Sequence, residues 1–194
     1  MANRIIIIQG HPDPSDHRFC RALARAYAQG AEEAGCEVKV LDVARVEFPM
    51  MRTREEWEGS VTPEIQEAQG AIARADRLVL FYPLWLGSMP ALLKGFLEQV
   101  FRPGFAISKA AGGFGWKKLL KGKSATIVVT MGMPAFIYRW WFRAHSLKSL
   151  EKNILAFCGI SPIEEHLVGS VESLDAAKRE KWLERMRTLG RKNR

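Results

Sequence analysis

Residues able to do chemistry gather in a few short stretches of this 194-residue chain. The first is Gly10-His11-Pro12-Asp13-Pro14-Ser15-Asp16-His17-Arg18, which follows the apolar run Ile5–Ile8 and precedes a helical pattern beginning at Phe19. A polar loop leading from a strand into a helix offers backbone N–H groups and the positive end of the helix dipole to an anion. Ser15 adds a hydroxyl donor, His11 a ring donor and Arg18 a full charge, so the stretch suits a phosphate group. Asp13 and Asp16 oppose an anion there, and Asp16 is a candidate helix cap instead. Neither GxGxxG nor GxxxxGK[ST] is present, so this is not one of the two common phosphate loops.

The second stretch is Leu84-Trp85-Leu86-Gly87-Ser88-Met89, and the third is Thr130-Met131-Gly132-Met133-Pro134. Each follows an apolar run. Leu78–Tyr82 suits a strand buried on both faces, ended by Pro83 because a central strand cannot lose a backbone donor. After Pro90, residues Leu92, Leu93, Phe96, Leu97, Val100 and Phe101 form an apolar stripe at helical spacing, stopped by Arg102-Pro103-Gly104. Ser124–Thr130 is another buried strand, and Gly132 allows close approach of the backbone to a ligand.

The remaining elements must position these loops. Arg4–Gln9 is the first strand, Phe19–Ala34 a helix that Gly35 can cap, and Glu37–Val43 the second strand. Ala44–Ser60 has no clear period, and Pro63–Ala75 is a helix with Ile65, Ala68, Ile72 and Ala75 on one face. Ile107–Lys123 is basic and glycine-rich, readable either as a plain connection or as a flap. The later part of Ala135–Cys158 is helical, with Tyr138, Trp140, Trp141, Phe142 and His145 clustered before it. Ile163–Val168 is a fifth strand, Leu174–Leu189 closes the chain as a helix, and Gly190–Arg194 is expected to fray. The alternation predicts an α/β fold: a doubly wound, five-stranded parallel sheet of flavodoxin-like order 2-1-3-4-5, with helices on both faces. All 194 residues are expected to form a single domain. In that order the loops after strands one, three and four meet at one edge, where such sheets bind ligands.

Composition narrows the class. Hydrophobic residues make up 47%, so the body of the chain can bury a core, and no apolar run reaches the roughly 18–20 residues of a membrane helix. MANRIIIIQG reads as a first strand rather than a signal peptide. Cys20, Cys36 and Cys158 are too few and scattered for a disulfide framework, and no metal spacing is present, which fits a reducing cytoplasm. The net charge of +8 is readable as solvated helix faces plus a basic tail, or as a field that steers anionic cofactors. No nucleic-acid motif accompanies it.

Taken together, GHPDPS, YPLWLGSMPALLKGFLEQVFRPGFA and VVTMGMPAFIY resemble the NAD(P)H quinone oxidoreductase family, flavoproteins of flavodoxin-like fold. The resemblance runs from Arg4 to about Trp182. It implies a flavin whose phosphate lies at His11, Ser15, Arg18, Phe19 and Cys20. It sets the ring along Pro83, Leu84, Trp85, Leu86 and Gly87, flanked by Thr130, Met131, Gly132 and Met133. Tyr138 matches a tyrosine that hydrogen-bonds the flavin edge during hydride transfer, and His145 stands one residue out of register with its histidine partner. Where this family often carries a threonine-glycine turn, the chain has Thr-Met-Gly-Met.

The activity so implied is two-electron transfer from NAD(P)H to a quinone or similar acceptor by a ping-pong mechanism, the flavin carrying the chemistry. FMN is favoured over FAD because no extra adenine-binding segment is visible. The apolar face Phe96, Val100 and Phe101, expected to be exposed, suggests with the aromatic cluster a homodimer having its sites at the interface. The alternative is a flavin-bearing regulatory subunit docked on a membrane ion-efflux transporter, for which Arg139–Lys152 could provide a transporter or peripheral membrane contact. A one-electron shuttle is disfavoured by the basic charge.

Overall fold

The computed structural model describes residues 3–110 and 115–192. In chain order its elements begin with β1 (Arg4–Gln9), α1 (Phe19–Glu33), β2 (Glu37–Asp42), α2 (Arg54–Glu58), α3 (Pro63–Arg74), β3 (Arg77–Pro83) and α4 (Ala91–Val100). They continue with β4 (Ile107–Lys109), β5 (Trp116–Lys118), β6 (Ser124–Thr130), α5 (Ala135–Trp140), α6 (His145–Lys148), α7 (Ala156–Cys158), β7 (Ile163–Val168) and α8 (Ala176–Lys192). Five strands pair in parallel in the order β2-β1-β3-β6-β7, which is the expected 2-1-3-4-5.

The apolar runs explain the layering. Ile5 and Ile7 of β1 face α1 and α8, whereas Ile6 and Ile8 face α3 and α4, and all four are essentially inaccessible. Burying each stabilises the fold by about 2 kcal/mol. Pro83 occupies the last position of β3, opposite Thr130, where its missing donor costs the ladder least.

Helix ends follow the local sequence. Gly35 adopts φ +82°, its N–H donates to Glu32 O at 2.9 Å, and Cys36 N–H reaches Ala31 O at 3.0 Å, closing α1 as expected. Thr62 caps α3 ahead of Pro63 through its side-chain oxygen, which accepts from Ile65 N–H at 3.4 Å. Where α1 crosses α8, both helices carry glycine. A Cβ on Gly30 would stand 2.0 Å from Arg187 O, and one on Gly190 would stand 2.2 Å from Tyr27 O.

Five expectations need correction. The closing helix runs to Lys192 and buries Gly190, so residues 190–192 do not fray; residues 193 and 194 lie outside the described residues. Ala44–Ser60 contains α2, started by a capping box in which Thr53 Oγ1 accepts from Glu56 N–H and the Glu56 carboxylate reaches back. The 107–123 stretch holds a small antiparallel pair, β4 with β5; Gly112, Gly113 and Phe114 of the same stretch lie outside the described residues. Asp16 does not cap α1; its carboxylate pairs with Arg25 at 2.9 Å. Finally, Phe96, Val100 and Phe101 are buried under α3 and the sheet, so α4 offers no exposed apolar face to a second copy.

Candidate functional site

A cleft of about 350 Å³ opens at the carboxyl ends of β1, β3 and β6. Its first wall is the β1–α1 loop, held from several directions. Gly10 N–H donates to Phe81 O at 2.7 Å, and the buried Gln9 side chain accepts from His11 N–H at 3.1 Å. Asp13 N–H donates to His11 Nδ1 at 3.1 Å, so the neutral ring carries its proton on Nε2. Burial first, and the Arg18 charge second, hold the His11 pKa below its ordinary value and keep it in that neutral form.

The loop is anchored from behind by Arg21. Its guanidinium donates to Asp13 O at 2.9 Å and grips Asp42, at the end of β2, through two bonds of 2.7 and 2.8 Å. The start of α1 has no side-chain cap. The N–H groups of Phe19 and Cys20, which no intrahelical carbonyl can reach, therefore remain for an outside acceptor at the cleft wall. Arg18 also lines the cleft, although Asp13 holds it at 2.6 Å and offsets part of its charge. The Ser15 N–H bonds the Asp13 carboxylate, and its hydroxyl stays off the cleft wall. Burial pushes the Cys20 thiol up to about 12, which makes it an inert packing group.

The opposite wall is the β3–α4 loop. Leu84 N–H donates to Thr130 O at 2.7 Å, tying this wall to β6. Trp85 and Ser88 exchange two backbone bonds of 2.9 and 3.0 Å around Leu86 (φ +47°) and Gly87 (φ +78°). Two successive left-handed residues match a tight primed turn, for which glycine at the second position is suited. Pro83, Leu84 and Trp85 line the cleft, with the Trp85 indole 5.8 Å from the His11 ring in an edge contact. Leu86 and Gly87 form the exposed tip and do not reach the wall.

Thr130, Met131 and Gly132 complete the floor, whereas the Met133 side chain turns into the core. Val171, Glu172 and Arg179, from the β7–α8 loop and α8, line the cleft as well and were not anticipated. Arg179 donates to Leu174 O at 3.0 Å and Val171 O at 2.8 Å and sits 4.9 Å over the Phe19 ring. No local motif marks it, because its place at the cleft is set by a ring far away in sequence.

Tyr138, on α5, is buried and does not line the cleft. Its hydroxyl lies 2.7 Å from Ser146 Oγ and accepts from Leu147 N–H at 3.1 Å. His145 points to solvent and makes no side-chain hydrogen bond among the described residues, so the geometry pairs Tyr138 with Ser146 instead. The physical reason is register: the two left-handed residues Arg143 and Ala144 reverse the chain ahead of α6 and bring position 146 to the phenol.

Residues 3–189 match the family of the flavodoxin-like fold, and the chain belongs to it. An uncharacterized NAD(P)H oxidoreductase of Haemophilus influenzae is 32% identical over 184 residues, 92% of this chain and 90% of its own. The ribosyldihydronicotinamide dehydrogenase (quinone) of Mus musculus is 25% identical, covering 96% of this chain and 91% of its own. The solved NAD(P)H:quinone oxidoreductase of Methanothermobacter marburgensis superposes with a TM-score of 0.82 at 26% identity, over 98% of this chain and 96% of that one. The resemblance to the NAD(P)H quinone oxidoreductases stands on these relatives.

Proposed function

We propose that the protein is a flavin-dependent NAD(P)H:quinone oxidoreductase, with FMN favoured over FAD. The observation that carries this reading is the cleft itself, in which an uncapped helix start and two cationic side chains face an apolar wall of Pro83, Leu84 and Trp85. Such a site fits a group with a phosphate at one end and a flat apolar body at the other. When bound, the flavin supplies the hydride chemistry between NAD(P)H and the acceptor.

The chain's own residues would divide the work as follows. The N–H groups of Phe19 and Cys20, with Arg18 and the His11 Nε2–H, bind the phosphate. Trp85 and Met131 exclude water from the ring. The Tyr138 hydroxyl, held by Ser146 and the Leu147 N–H, would hold a proton for the transfer, with Ser146 in the place that the resemblance gave to His145. The names of the relatives favour this enzyme over a subunit docked on a transporter. Cys20, Cys36 and Cys158 are all buried, which suits the reducing cytoplasm that the reading includes.

The test is optical. The purified protein, reconstituted with FMN, should be yellow, bleach with NADPH under nitrogen and regain colour with benzoquinone. A protein that takes up neither FMN nor FAD would overturn the reading and leave the fold standing.

A further inference from the structure

The short helix α5 and the two residues after it carry side chains that the fold does not use. Phe136 is 65% exposed, Trp140 79%, Trp141 81% and Phe142 50%, and these four with Ile137 border an open apolar hollow of about 580 Å³. An apolar patch of this kind on a basic protein calls for a partner. Its chemistry is specific: two tryptophans and two phenylalanines, followed in the chain by Arg143 and Lys148, with no Asp or Glu between Pro134 and Leu150. Neither Arg143 nor Lys148 has an ion pair among the described residues, whereas Arg139 is already matched by Glu165 at 2.6 Å.

We propose that this aromatic knob is a docking surface for an anionic lipid bilayer. Tryptophan seats in the interfacial layer of a membrane, where its ring is buried and its N–H edge stays wet, and phenylalanine adds apolar area to bury. Unpaired arginine and lysine beside them meet the negative headgroups. A second copy of the chain is the weaker match. A two-fold contact centred on this segment would set its cations against their own copies, and the segment holds no carboxylate to answer them. Docking would be peripheral, since no helix among the described residues is long and apolar enough to cross a membrane. The inference does not depend on the identity of the electron acceptor.

The experiment is co-sedimentation of the full chain with vesicles of phosphatidylcholine alone, and of phosphatidylcholine mixed with phosphatidylglycerol, at low and high salt. Binding to the mixed vesicles only, weakened by salt, is expected. The exposed W140S/W141S pair should lower the partition coefficient about tenfold, because binding scales with buried apolar area. R143Q/K148Q should remove the preference for phosphatidylglycerol. Sedimentation velocity of each variant without lipid controls for assembly and should match the unaltered protein. Absence of the unaltered protein from the pellet would overturn the proposal, as would unchanged binding by W140S/W141S. A fall in its sedimentation coefficient would also overturn it, marking the face as a contact between copies.

Discussion

The Tyr138 hydroxyl and Ser146 Oγ lie 2.7 Å apart, and the Leu147 N–H donates to the same phenol oxygen from 3.1 Å. Two partners fix the position of this one buried hydroxyl. Removing the hydroxyl in Tyr138→Phe should lower kcat by about 10²-fold, the lower end for a positioned proton donor. Ser146→Ala should cost about tenfold, the equivalent of one hydrogen bond to a reacting group, and should move the pH profile of kcat. His145→Ala should leave both unchanged. Steady-state kinetics with NADPH and a soluble quinone checks all three, and a loss of turnover in His145→Ala equal to that of Ser146→Ala sinks the assignment.

Arg21 joins α1, the β1–α1 loop and the end of β2. Its side chain is 8% exposed and that of Asp42 16%, so cutting either partner leaves the other charge with little water. Arg21→Met should destabilise the protein by about 3 kcal/mol and weaken flavin binding through the loosened loop. The pair also sets an acid limit. Burial raises the Asp42 carboxyl, but Arg21, the Ala44 N–H and Arg45 outweigh it and leave the folded value below 3.8. A carboxyl depressed on folding stabilises fully above its unfolded value, and that stabilisation is lost as pH falls through the folded one. Urea unfolding of Asp42→Asn should therefore lose the steep part of the acid limb below 3.8.

His11 predicts a second, milder dependence. Its pKa is held below 6.5 by burial and by Arg18, so the folded chain binds fewer protons here than the unfolded one. The stabilisation is complete above 6.5 and is lost as pH falls through the lowered value. Protonation at Nδ1 would also break the bond from Asp13 N–H. The urea midpoint of the flavin-free protein should drop on going from neutral to mildly acidic buffer, and His11→Gln should flatten that drop.

Glycines separate crowding from flexibility. Gly30→Ala and Gly190→Ala each force a methyl against a backbone carbonyl and should destabilise by about 3 kcal/mol, the upper end for overpacking. Gly70, inside α3, has ordinary helical backbone, and a methyl added there would meet only the Arg74 guanidinium, at 3.6 Å. Gly70→Ala should stabilise by about 0.5–1 kcal/mol. Thermal unfolding of the three variants tests the contrast.

The sheet was legible because Ile5–Ile8, Leu78–Tyr82 and Ser124–Thr130 are runs that only a two-sided burial explains. The loops at their ends, and ten of the expected site residues, fall on one cleft for the same topological reason. α2 was readable in principle, since Thr53 and Glu56 spell a capping box, but its five residues carry no apolar period. The face of α4 was misassigned because an apolar stripe says that it is covered and not by what. Arg21, Arg179 and Ser146 were missed because each acts on a backbone or side chain that only folding brings near.

The glycine crossing between α1 and α8 orders events during synthesis. A ribosome releases α1 early, but Tyr27 and Ala31 on its inner side stay partly uncovered until Met186 and Gly190 have emerged. Arg179, which covers Phe19 at the cleft, arrives with the same late segment. The nascent chain thus completes the Phe19 end of the cleft only after the whole sheet has been made, so on the proposed reading cofactor capture comes as a closing step of biogenesis and not as a seed for it.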